Sequence, residues 1–119
     1  MPPLTDIPQP LARFPVEVRA AYQNFRSTRD EAALQVVILA AVSDFMPKSS
    51  VHQRLEPLRL EQRLIDDLGF DSLAVAETVF FFEDLFRVTI RNQELMALRT
   101  VGELCDFVAH RLREQSPTA

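Results

Sequence analysis

Glycine, cysteine and tryptophan are nearly missing from this chain. Two glycines in 119 residues leave little provision for tight hairpin turns and none for a Gly-rich phosphate cradle. Tryptophan is absent and tyrosine occurs once. A single cysteine, Cys105, excludes an intramolecular disulfide framework and any zinc site built on several thiolates. Positive charge is also short. Thirteen Lys and Arg face 17 Asp and Glu, a net charge of −4, which argues against a general nucleic-acid binder. The longest apolar run, Val36 to Val42, falls far below the ~20 residues of a membrane span. The start, MPPLTDIPQP, has neither the basic opening nor the apolar stretch of a secretory signal. The expectation is a soluble, cytoplasmic protein with no membrane span and no nucleic-acid partner.

What remains is a globular composition, 47% hydrophobic and 25% charged, at a length that suits one domain. Leu, Ala, Glu and Arg are abundant, which favours helices. Prolines at 2, 3, 8, 10 and 15 make residues 1–14 read as an extended or loosely attached arm. Pro15 suits the first position of a helix. Val18, Ala21, Tyr22 and Phe25 follow at helical spacing and predict a helix over 15–26. Thr28 and Glu31 have the spacing of a capping box and predict a second helix over 29–46, stopped by Pro47. Leu34, Val37, Ile38, Ala41 and Phe45 mark one face of it. Val36, Leu39, Ala40 and Val42 carry the apolar surface onward, so this helix should be covered on more than one side, with the 15–26 helix as a candidate cover.

Residues 47–65 read as a long loop with a short helical turn near 60–65, a loop length often tied to function. Asp66-Asp67-Leu68-Gly69-Phe70-Asp71-Ser72-Leu73 follows. Gly69 permits a turn, and Asp71 or Ser72 can cap a helix over 72–86. Its core stripe is Val75, Val79, Phe82 and Phe86. Residues 87–90 form an extended link. Asn92 can cap a short helix containing Leu95 and Met96. Thr100 and Glu103 form a second capping box, ahead of a last helix over 101–114 that turns Val101, Leu104, Val108 and Leu112 inward, with Phe107 beside them. The tail QSPTA should fray.

A serine at a helix start sits where backbone N–H groups and the helix dipole favour an anion, so a phosphate ester on Ser72 would be well placed. The plain alternative is that Asp71 and Ser72 only cap the helix. From residue 66 to 84 there are six acidic side chains and no basic one. Residues 30–119 carry a net charge of −6 and residues 1–29 a net of +2. The acidic stretch is either a solvated face or a docking surface for basic partners. Phe80, Phe81 and Phe82 cannot all face one core at 100° per residue. Leu73, Ala76 and Phe80 form a second stripe edged by Glu77 and Asp84. It is either covered by the N-terminal residues or exposed as an interaction site.

The stretch from Asp66 to Leu112 resembles an acyl carrier protein. The likeness rests on the acidic-Leu-Gly-x-Asp-Ser-Leu motif at 66–73, the acid-bearing helix after it and Phe86-x-Val88-x-Ile90. The short helix near Leu95 and the Thr100-Val101-x-x-Leu104 start of the last helix match too. It covers about residues 30–114. The resemblance implies an all-α, four-helix acyl-carrier bundle with a short third helix, spanning 29–119, plus an extra N-terminal helix in an extension over 1–28. It implies a non-catalytic carrier. A holo-carrier-protein synthase would move 4′-phosphopantetheine from coenzyme A onto Ser72, with Asp71 serving synthase recognition. Leu73, Ala76, Glu77, Phe80, Glu83 and Asp84 are the implied docking residues for that synthase and for acyl-loading, condensing and acyl-transfer enzymes. Val75, Val79 and Phe82 are the implied lining of an acyl pocket. A monomer is expected, with the Phe80 strip leaving a dimer open.

Ala74 stands where fatty-acid-synthesis members commonly carry an acid, and three Phe occupy the middle of the helix. With the long loop and the first 28 residues, these departures point to a specialised fatty-acid, lipid or polyketide pathway. The absence of Gly-Gly-His-Ser argues against amino-acid cargo. One rival is an unmodified interaction protein of the same fold. Another is a small hydrolase using Ser72, against which the missing Gly-x-Ser-x-Gly argues. His52 and His110 have no metal-ligand spacing around them, and Cys105 reads as a small buried residue.

Overall fold

The chain passes from an N-terminal segment into helices that are tied together by one core. The structure, a computed structural model, describes residues 9–46 and 58–115. A single 3-10 turn spans Gln9–Leu11, and five α-helices follow: α1 Val16–Thr28, α2 Glu31–Phe45, α3 Ser72–Phe86, α4 Asn92–Met96 and α5 Val101–Gln115. No strand occurs among the described residues; Arg63 and Thr100 form an isolated antiparallel bridge. No helix among them is long and apolar enough to cross a membrane. The fold is the all-α bundle that the sequence predicts.

α2 is the hub, touching α1, α3 and α5. Its buried residues, Ala33, Leu34, Val37, Ile38, Ala41 and Val42, wrap more than one face, as expected of a helix covered on several sides. α1 supplies one cover by burying Val18, Tyr22 and Phe25. α3 runs from Ser72 to Phe86, the predicted bounds. Its buried set is wider than the predicted stripe, because Ala74, Thr78, Phe81 and Leu85 join Val75, Val79 and Phe82, while Phe86 is half-buried. α5 buries Val101, Leu104, Cys105, Val108, Ala109 and Leu112.

Several local expectations need correction. Residues 9–14 are not a loose arm: Leu11 is fully buried and Phe14 nearly so, and the 3-10 turn packs on α3. Phe14 meets Phe81 at 5.6 Å between ring centroids. Two large apolar side chains anchor the segment despite its prolines. Residues 1–8 lie outside the described residues. The Thr28–Glu31 capping box does not form. Thr28 ends α1 and donates its hydroxyl to the Asn24 carbonyl, while Asp30 caps α2 by accepting from the Ala32 N–H at 3.0 Å. Two cap-type residues compete within three positions, and the aspartate is the one adjacent to the helix. Arg91, not Asn92, is the residue before α4, and the Glu94 carboxylate accepts from its N–H at 3.0 Å. That bond and the Arg111 guanidinium hold the Glu94 carboxyl below the usual carboxylate range. No helix forms over residues 60–68, but Asp67 N–H to the Arg63 carbonyl and Gly69 N–H to the Ile65 carbonyl are helical-type bonds, so a turn of this kind lies at 63–69, slightly later than expected. Residues 47–57 and 116–119, with most of the predicted loop, His52 and the end of the tail, lie outside the described residues.

α1 ends with Arg29 and α3 with Arg87 in the left-handed region, at φ 61° and 57°. Each donates its N–H back four residues, to Phe25 and Glu83. This is a helix-ending geometry usually given to Gly, and the chain's two glycines are used elsewhere.

Removing the Phe25 side chain should cost about 3–5 kcal/mol, as for any large core aromatic. Urea unfolding of Phe25→Ala measures it. A loss below about 1 kcal/mol would mean that α1 is an appendage.

Candidate functional site

Ser72 is placed by the loop before it. Two backbone pairings fasten that loop to the start of α5: Leu64 N–H to the Arg99 carbonyl at 2.9 Å and Val101 N–H to the Gln62 carbonyl at 3.0 Å. A third joins Gly102 N–H to the Leu60 carbonyl at 2.9 Å. A Cβ on Gly102 would lie 3.2 Å from the Leu60 oxygen, a tight contact that the close approach avoids by having glycine there. Thr100 Oγ1 accepts from Glu103 N–H at 3.1 Å, and the Glu103 carboxylate accepts from Arg99 N–H at 2.7 Å. The predicted Thr100 cap is present, with its glutamate reaching one residue further back. The first turn of α5 thus finds its acceptors in this loop and in Thr100, which satisfies donors that a helix start leaves unpaired.

The loop then turns on itself. Asp67 Oδ2 accepts from Arg63 N–H at 2.8 Å, and the Arg63 carbonyl accepts from both Asp67 and Leu68 N–H at 3.0 Å. Gly69 sits at φ 76°, in the region where a side chain is strained. Phe70 N–H returns to the Leu64 carbonyl at 2.9 Å, and the Phe70 and Leu68 side chains are buried. Asp71 follows as N-cap of α3, its Oδ1 accepting from Ala74 N–H at 2.9 Å. Of the two cap candidates in the sequence, Asp71 is the cap. This leaves Ser72 as the first residue of the helix, exposed. Among the described residues no acceptor meets the N–H groups of Ser72 and Leu73.

The second stripe of α3 is exposed. Leu73 is 67% exposed and Phe80 70%, with Ala76 half-buried between them. The segment at Pro10–Arg13 lies beside this stripe without covering it. Pro10, Arg13, Phe45, Phe81, Glu77 and Asp84 flank Phe80 around a shallow groove. Arg13 pairs with Asp44 and lies over the rings of Phe14 and Phe45. Glu77 and Asp84 are exposed and make no ion pair with a described residue. Glu83 differs, because its carboxylate accepts from Ile90 N–H at 2.9 Å and fixes the link after α3.

Val75, Val79 and Phe82 are all buried. Val75 lines a crevice, without Val79 or Phe82, that runs between the loop, α3, α4 and α5 and also takes in Phe70, Thr78, Leu95 and Leu104. Ile65 and Met96, about half-exposed, stand at its mouth. Its free volume is about 10 Å³, room for one water-sized probe. Thr78 was missed in the sequence because its hydroxyl reads as polar. It lies three residues after Val75, on the same face, and donates that hydroxyl to the Ala74 carbonyl at 2.8 Å, which leaves its methyl for packing.

No group of three or more His, Cys, Asp and Glu that could hold a metal occurs among the described residues. His110 is exposed, 3.2 Å from Glu114. Burial pushes the Cys105 thiol up to about 11, so at neutral pH it is not a nucleophile.

Residues 50–108 match the protein family described as phosphopantetheine attachment site. The chain is 32% identical over 90 residues to the meromycolate extension acyl carrier protein of Mycolicibacterium smegmatis, covering 74% of this chain and 87% of that one. It is 34% identical over 80 residues to an acyl carrier protein of Syntrophobacter fumaroxidans, covering 67% and 93%. A match to an acyl carrier protein of Exiguobacterium sibiricum is 39% identical over 51 residues, covering 43% and 65%. The chain belongs to the phosphopantetheine-binding acyl carrier family, and 4′-phosphopantetheine is the group that goes with it. An exposed hydroxyl at a helix start with two unpaired N–H groups beside it suits a phosphate ester.

Asp71→Ala should lower stability by about 0.5–2 kcal/mol through loss of the cap, and Asp71→Asn should restore most of it. Denaturant midpoints of the two variants test this. Equal losses would show that charge, not capping, is what Asp71 contributes to the fold.

Proposed function

We propose that this protein receives 4′-phosphopantetheine from coenzyme A on Ser72 and carries acyl intermediates of a dedicated lipid pathway to partner enzymes. The carrier unit is residues 29–119, in the cytoplasm, and residues 1–28 are an addition to it. The observation that carries the reading is the placement of Ser72. Its hydroxyl is exposed at the first position of α3, capping has been taken over by Asp71, and no described residue hydrogen-bonds it. A residue whose only use is display suits attachment. The protein's part is presentation and recognition; when bound, the group supplies the thiol on which acyl chains are held as thioesters. The relatives named for meromycolate extension support an extension pathway.

Docking falls to Leu73, Ala76 and Phe80, with Glu77 and Asp84 at the rim. Unpaired acids around an apolar centre attract basic partners quickly without holding them long. Glu83 acts mainly by holding Ile90 in place. Asp71 serves the synthase from its capping position. The rival reading, an unmodified interaction protein, uses the same face but leaves Ser72 without a task.

Intact-protein mass spectrometry after incubation with coenzyme A, magnesium and a broad-specificity phosphopantetheinyl transferase tests the attachment. One phosphopantetheinyl group should be gained, and none by Ser72→Ala, which keeps its far-UV spectrum. No gain on the folded native chain would leave the interaction-protein reading.

Reversing Glu77 and Asp84 to Lys should raise the transferase KM several-fold at low salt and far less near 1 M, where screening shrinks to about 3 Å. A loss independent of salt would place the effect in packing.

A further inference from the structure

The groove beside Phe80 has two sides that come from different parts of the chain. One is α3, which lines it with Glu77, Phe80, Phe81 and Asp84. Their i, i+3, i+4, i+7 spacing puts them on one helix face. The other side is built by Pro10 and Arg13 of the N-terminal segment and by Phe45, the last residue of α2. The groove is open and holds about 430 Å³, against about 10 Å³ for the crevice beside Val75. A side chain can enter it without any repacking.

The second side is held in place. Leu11 is fully buried and Phe14 nearly so, and the Phe14 N–H closes the turn onto the Leu11 carbonyl at 3.0 Å. The Phe81 ring lies 5.6 Å from that of Phe14 and 5.5 Å from that of Phe45. The Arg13 guanidinium spans the joint. It sits 5.1 Å from the Phe14 ring centroid and 5.5 Å from the Phe45 centroid, and it pairs with Asp44. Segment and α2 therefore make one wall.

The charge of the groove follows from that pairing. Asp44 offsets Arg13, whereas Glu77 and Asp84 make no ion pair with a described residue. The uncompensated charge is negative and lies on the α3 side. Phe80, 70% exposed, is the apolar centre. Ring faces and a planar guanidinium across from an exposed ring suit a large flat apolar side chain. Acids beside it suit basic neighbours on the same partner.

Deepening the docking reading proposed above, on which it rests, we propose that the N-terminal segment is a specificity element of the docking face. Pro10, Arg13 and Phe45 form with Phe80 a slot for one large apolar side chain on a partner surface whose neighbouring residues are Lys or Arg. All three wall residues lie outside the stretch 50–108 that matches the family. They let a dedicated partner tell this chain from a carrier that offers the α3 face alone.

The test titrates the ¹⁵N-labelled full chain at low salt with three short helical peptides. One has Lys around a central Trp, one has Lys around a central Ala, and one has Glu around a central Trp. The Lys–Trp peptide should shift the amides of Leu11, Arg13, Phe14 and Phe45 together with those from Glu77 to Asp84. The Lys–Ala peptide should bind about tenfold more weakly, and the Glu–Trp peptide should not bind. Arg13→Gln frees Asp44 and makes the face more acidic, so charge alone would tighten the Lys–Trp peptide; the slot requires it to weaken several-fold. Phe45→Leu leaves the charge unchanged and should weaken the Lys–Trp peptide but not the Lys–Ala one. Both variants should keep the far-UV spectrum. Shifts confined to α3, equal affinity for the two Lys peptides, or tighter binding by Arg13→Gln overturns the slot and leaves the α3 docking face standing. No shift on α3 with any peptide overturns the docking face and the slot together. The peptides need no prosthetic group, so failure of Ser72 to load in the mass-spectrometric assay sinks the carrier function without deciding this result.

Discussion

Everything about the serine depends on a short length of backbone pairing far from it in sequence. Residues 60–64 and 99–102 exchange three N–H to carbonyl bonds. Those bonds cap the start of α5 and immobilise the loop that delivers Asp71 and Ser72 to the head of α3. Neither side is stable in this form alone: the helix start would expose unpaired donors, and the loop would have no partner for its carbonyls. Both glycines of the chain are committed to this place. Gly102 allows the two backbones to approach, and Gly69 allows the loop to turn into α3. The helix ends at Arg29 and Arg87, where glycine would be easier, do without it.

The second organising feature is the uneven use of charge. Arginines are spent on internal ties. Arg111 reaches Glu94 at 2.8 Å and lies over the Phe107 ring, Arg13 meets Asp44, and Arg113 meets Glu31. The exposed pairs of Arg13 and Arg113 contribute little to stability, but all three neutralise acids at the surface. Glu77 and Asp84 remain outside these pairs. The face beside Phe80 is therefore acidic through the pairing of other groups as much as through its own composition.

Much of this was legible in the sequence, and the failures have physical causes. α3 was readable to both ends because an Asp-Ser pair starts it and the apolar period stops at Phe86. The covered character of α2 followed from its lack of a polar face. The N-terminal segment was misread because proline content speaks for extension, whereas Leu11 and Phe14 decide by burial. The α2 cap was misread because Thr28 and Asp30 both qualify, and which one faces the first turn depends on where α1 ends. Of the three residues expected to line an acyl pocket, only Val75 lines the crevice. Val79 and Phe82 are buried without lining it, and which buried residue borders a crevice depends on depth along a helix, which a face-by-face reading does not contain.

The 3-10 turn at Gln9–Leu11 has a consequence for how the domain can be tethered. The polypeptide enters alongside α3, with Pro10 and Arg13 beside Phe80. It leaves from the end of α5, a helix of 15 residues whose other end holds the serine loop, about 22 Å away at 1.5 Å per residue. Gln9 and the end of α5 are therefore unequal as attachment points. A tag, a surface or a neighbouring domain held close to Gln9 stands beside Phe80, whereas one held close to the end of α5 stands a helix length away from the loop that leads into Ser72.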